Sequence, residues 1–133
     1  METTEDKKVT CFGRVNGSHL WQLVRQEHDS YEDFVKKCLN ELTYCRHPFY
    51  AYVKAFEEEC LGIRVEKELQ HSPYEAKRFA IQVLHLPDCF KGVGAECMYA
   101  WDKYVETKNE FYLSQIVAHN RACLIQELML VLV

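Results

Sequence analysis

Seven cysteines are spread along this 133-residue chain, and no two stand closer in sequence than Cys38 and Cys45. That spacing sets the tightest limit on the fold. A disulfide-stapled secreted domain pairs an even number of cysteines, and a zinc finger or ribbon brings its ligands in as Cys-x₂₋₄-Cys pairs. Neither pattern is present. Dispersed thiols behave as small hydrophobes in a core, so the chain is expected to hold together by apolar burial. Apolar residues make up 48% of it and aromatics 13%, enough for one core in one domain.

The apolar residues recur mostly at helical spacing. Tyr31, Phe34, Val35, Cys38, Leu39 and Leu42 mark one face of a helix. Asp29-Ser30 offers its cap, Glu32 and Asp33 suit its first turn, and Pro48 limits it to about Arg46. Pro48 in turn suits the first position of a second helix lined by Phe49, Tyr52, Val53, Phe56 and Cys60. Gly62 either caps that helix or is tolerated inside a longer one running through Ile63 to Leu69. Leu20, Trp21, Leu23 and Val24 fit a short helix after the turn signal Asn16-Gly17-Ser18. Ser72-Pro73-Tyr74-Glu75 reads as a capping box, and Pro87-Asp88 as a helix stop. Ala95 begins a helix burying Met98, Trp101 and Val105. Thr107-x-x-Glu110 is a second capping box, opening a long last helix. The expected fold is therefore all-α: a single compact domain of five to six helices over 16–133, a helical bundle or an irregular stack of helical hairpins with a long C-terminal helix. Residues 1–15 are expected to be a mostly disordered tail, with a short extended segment at Val9 to Val15.

No catalytic motif is present, and no catalytic residue is assigned. Lys91-Gly92-Val93-Gly94 lacks the register of a dinucleotide loop, and Glu57-Glu58-Glu59 points its carboxylates about 100° apart around a helix. The one repeated constellation is His85-x₃-Cys89 and His119-x₃-Cys123. A spacing of four places both side chains on one helix face, and two such pairs could complete a Cys₂His₂ zinc site. Pro87 and Asp88 interrupt the first pair, so zinc is a secondary expectation and no other cofactor is expected.

The net charge is −4, and no Lys/Arg run exceeds two residues. Duplex-binding domains carry a basic stripe, so nucleic acid is disfavoured as a partner. The N-terminal METTEDKKVTCF has no apolar core of a signal peptide, and no apolar run approaches the ~18 residues of a membrane span. With reduced thiols, this predicts a cytoplasmic or nuclear chain. Tyr44, Tyr50, Tyr99 and Tyr112 fall off the helical stripes, and Leu128 to Val133 is an apolar run. Aromatics and methionine are enriched at contact surfaces. The expected function is a non-enzymatic protein–protein interaction module, an adaptor or assembly subunit meeting another protein or its own copy. Its expected contact residues are Tyr112, Ile116, Leu124, Leu128, Met129 and Leu132. The alternatives are a zinc-stabilised domain or an enzyme with a Cys/His site.

Overall fold

The computed structural model describes residues 1–69, 82–90 and 93–132, and it overturns the all-α expectation. Strands β1 (Glu2–Thr3), β2 (Val9–Asn16) and β3 (His19–Val24) form an antiparallel sheet in the order β1-β2-β3. Strands β4 (Tyr50–Ala51) and β5 (Lys67–Glu68) form a short parallel pair. Helices α1 (Tyr31–Leu42), α2 (Lys54–Leu61), α3 (Ala95–Thr107) and α4 (Phe111–Leu132) complete the described elements. The fold is mixed α/β, neither a helical bundle nor a stack of helical hairpins.

Asn16-Gly17-Ser18 is the turn of a hairpin and not the start of a helix. Gly17 adopts φ +61°, and Asn16 pairs with His19 across the two-residue loop. Glycine at the first central position gives such a loop the twist that two strands need. Leu20, Trp21, Leu23 and Val24 satisfy a helical stripe, but a run this short does not separate the two periods. The ladder to β2, from Cys11 opposite Val24 to Asn16 opposite His19, takes up their backbone.

Residues 1–15, expected as a tail, contain β1 and nearly all of β2. Val9, Thr10, Cys11 and Phe12 are all buried because both faces of β2 are covered. Cys11 joins the core of α3 and α4, with Cys97, Ala100, Trp101, Tyr104, Leu113 and Ile116. Phe12 joins a second core, with Phe34 and Cys38 of α1 and Leu61 of α2. A strand covered on both faces shows no alternation of apolar and polar residues, which conceals it behind a charged leader. Gly13 lies directly beneath α4: a Cβ there would stand 2.6 Å from Asn120 Oδ1 and closer still to Leu124.

Elsewhere the local signals hold more firmly. Ser30 caps α1, its side chain accepting the Asp33 N–H at 3.4 Å. The helix ends at Leu42, short of Arg46. Pro48 leads into β4 instead of opening a helix, and the 52–66 connection carries α2 before the chain returns as β5. Parallel strands require a crossover of this kind. Gly62 closes α2 in a left-handed cap at φ +67°, its N–H donating to the Glu58 carbonyl at 2.8 Å. The alternative of one longer helix through Ile63 to Leu69 is thereby excluded. The expected helix at Ser72-Pro73-Tyr74-Glu75 lies outside the described residues, and Gln82 to Leu84 are helical. α3 begins at Ala95 as expected and ends at Lys108, φ +61°. In place of the Thr107 capping box, Asn109 Oδ1 accepts the Phe111 N–H at 3.0 Å and Thr107 Oγ1 accepts that of Asn109 at 3.2 Å.

Candidate functional site

Where α4 crosses the sheet it presents His119 and Asn120, both buried. Leu113, Ile116 and Leu124 bury the same side of the helix, so two polar residues enter an apolar interface and need partners there. Asn120 Oδ1 accepts from Gln22 Nε2 of β3 at 2.9 Å, and Gln22 also donates to the Val117 carbonyl at 3.0 Å. Asn120 Nδ2 donates to Glu2 Oε1 of β1 at 3.4 Å. His119 Nδ1 meets Asp88 Oδ2 at 2.8 Å, and the other Asp88 oxygen accepts the Phe90 N–H at 2.9 Å. Nε2 of His119 faces Cys123 Sγ at 3.5 Å and Glu2 Oε1 at 3.9 Å. Phe90 leans over the imidazole with ring centroids 5.8 Å apart. The first turn of α3 closes the remaining side, where a Cβ at Gly94 would lie 3.8 Å from Nε2.

Three segments thus bring two carboxylates, an imidazole and a thiol into one cluster. The donor atoms of Glu2, His119 and Cys123 all lie within 4.8 Å of one another. Cys97, near the start of α3, lies in the core close to Glu2. Burial drives the Cys97 thiol well above its ordinary range, and the Glu2 carboxylate pushes in the same direction. Burial likewise raises Cys11 and Cys38 to about 12. These three cysteines are neutral core residues.

Only half of the expected metal-ligand set meets. His119 and Cys123 stand one turn apart on α4 and face each other, as their spacing implies. His85 and Cys89 are exposed and lie outside the cluster. Their places beside His119 are taken by Asp88 and Glu2. Sequence reasoning missed both, because nothing local distinguishes Glu2 from the other acids of the N-terminal segment, and Asp88 reads as part of a helix stop. Asp88, His119 and Cys123 also stand in the order carboxylate, imidazole, thiol, the order of a nucleophile relay. Enclosure of the imidazole, only 2% exposed, suits holding an ion better than admitting a substrate.

The expected contact residues divide. Ile116 and Leu124 belong to the core at 0% and 9% exposure, and Tyr112 packs half-buried against it. Leu128 and Met129 are half-buried, and Leu132 is 77% exposed. Among the described residues a groove of about 230 Å³ runs between β2, the β4 strand and the last turns of α4. Phe12, Leu42, Phe49, Ile63, Leu128 and Val131 give it apolar walls, and Arg14, Arg46, Glu57 and Glu127 give it charged ones. Tyr50 also lines it and is exposed, as is Tyr44 nearby in sequence at 71%. No helix among the described residues is long and apolar enough to cross a membrane. The sequence matches no protein-family model, and it has no significant match among curated proteins or among solved structures.

Proposed function

We propose that this domain is a protein-binding module that holds an apolar segment of a partner protein in the groove between β2, β4 and the end of α4. The single observation carrying this reading is the composition of that groove. Large apolar side chains line a concavity beside an exposed tyrosine and charged residues of both signs. An apolar floor with a polar rim and accessible aromatics is the usual anatomy of a protein-recognition surface. The contact set is revised accordingly. Leu128 and Val131 line it on α4, with Phe49 and Tyr50 opposite; Leu124 also borders it, the buried Ile116 drops out, and Leu132, 77% exposed, stands outside its lining.

The test is peptide-display selection on the purified chain, followed by binding of the selected peptides to the double variant Leu128→Asp, Val131→Asp. The expected result is a family of peptides sharing large apolar anchors, with affinity falling at least tenfold in the variant and circular dichroism unchanged. Native mass spectrometry of the same two proteins reads the case in which the partner is a second copy: a dimer that the variant dissolves. A monomer with no enriched peptide family, or peptides that bind wild type and variant alike, would defeat the reading.

A further inference from the structure

We propose that Glu2, His119 and Cys123 form a zinc-binding centre that ties β1 to α4. Zinc bonds of about 2.0–2.1 Å to nitrogen and 2.3 Å to sulfur set the two donors roughly 3.5 Å apart at a tetrahedral angle. His119 Nε2 and Cys123 Sγ stand at 3.5 Å. The Glu2 oxygen at 3.9 Å needs only a small shift to take a third vertex. The donor set of nitrogen, sulfur and carboxylate oxygen is the one zinc prefers.

The surrounding groups have the arrangement that metal-binding histidines require. A ligating imidazole commonly donates its other N–H to a carboxylate, which fixes the tautomer and aims the free nitrogen. Asp88 occupies that position at 2.8 Å from Nδ1, leaving Nε2 to the metal. Asn120 Nδ2 donates to Glu2 and orients its carboxylate. Binding replaces the Cys123 S–H bond by a zinc–sulfur bond and releases that proton to solvent. With zinc on Nε2, the His119 hydrogen sits on Nδ1 toward Asp88. A solvent molecule takes the fourth position.

The experiment strips the full chain with a chelator, dialyses it, and titrates it with zinc, then with cobalt(II) as a coloured substitute. The expected result is one equivalent per chain, the strong d–d bands of a tetrahedral cobalt site, and a thiolate-to-cobalt charge-transfer band. Cys123→Ser should abolish the charge-transfer band and weaken affinity at least tenfold, and Glu2→Gln should weaken it as well. Asp88→Asn should weaken affinity by about 10–100-fold, as is usual when the partner of a ligating histidine is lost. The double variant His85→Ala, Cys89→Ala should bind as wild type does. Cys123→Ser is the mildest of these changes, and its metal-free melting curve compared with that of wild type controls for folding. Alkylation gives a second readout, in which zinc should slow the reaction of Cys123 and leave that of the exposed Cys89 unchanged. No stoichiometric uptake by folded wild type would overturn the proposal. So would uptake unaffected by Cys123→Ser and Glu2→Gln, or uptake that follows His85 and Cys89.

Discussion

Gly13 marks the closest approach of sheet and helix in this domain. A methyl group there would press on Leu124 and on Asn120, and Asn120 is held from both sides by Gln22 and Glu2. Asn120 is thus not free to swing away. Gly13→Ala should therefore lower the unfolding free energy by about 1–3 kcal/mol, the usual cost of overpacking, read as an earlier urea midpoint at unchanged slope. A neutral substitution would mean that α4 does not rest on β2. At this scale the sequence reveals whatever is local. His119 and Cys123 can be placed on one face because their spacing is helical. Their partners cannot, since Glu2 lies 118 residues from Asn120 and Asp88 lies 31 from His119. No periodicity reports on contacts of that range.

Among elements, a carboxylate braces the start of the β4–β5 pair beside the backbone bonds of Lys67 to Phe49 and Leu69 to Ala51. Glu66 Oε2 accepts the Phe49 N–H at 2.6 Å, and Oε1 meets His47 Nδ1 at 2.7 Å. The backbone N–H of Phe49, then His47, hold the Glu66 carboxyl below its usual range. A carboxyl depressed by folding stabilises the folded state above its unfolded pKa, and that contribution is lost as pH falls through the folded value. The amide resonance of Phe49 should follow this titration, with a midpoint lower than that of an ordinary glutamate near 4.3. Glu66→Gln should abolish the inflection, and a wild-type midpoint at or above the ordinary value would count against the contact. Helices α1, α3 and α4 are legible in the sequence because each keeps its period over several turns, and Ser30 announces the first. β1, β4 and β5 are two residues each, too short to carry any period. β2 is long enough, but burial on both faces removes its alternation.

For the molecule as a whole, stability and recognition separate along α4. Ile116 is at the centre of the core with 0% exposure, whereas Leu132 projects into solvent. Ile116→Ala should cost about 2–5 kcal/mol, as truncation of a buried isoleucine does. Leu132→Asp should change stability by no more than about 0.5 kcal/mol. Chemical denaturation of the two variants checks both, and equal losses would place the end of α4 inside the core. The same helix closes the sheet. β1 and β2 come early in the chain, and the face of β2 that holds Cys11 is covered by α3 and α4, from residues 95–132. A ribosome adding about 5–20 residues per second leaves β3 behind several seconds before it makes α4. During that interval the hairpin has its strands and its turn but no lid over Cys11 and Gly13. The order of synthesis therefore opposes the order of burial, and Cys11 stays uncovered on the nascent hairpin until the last two helices emerge.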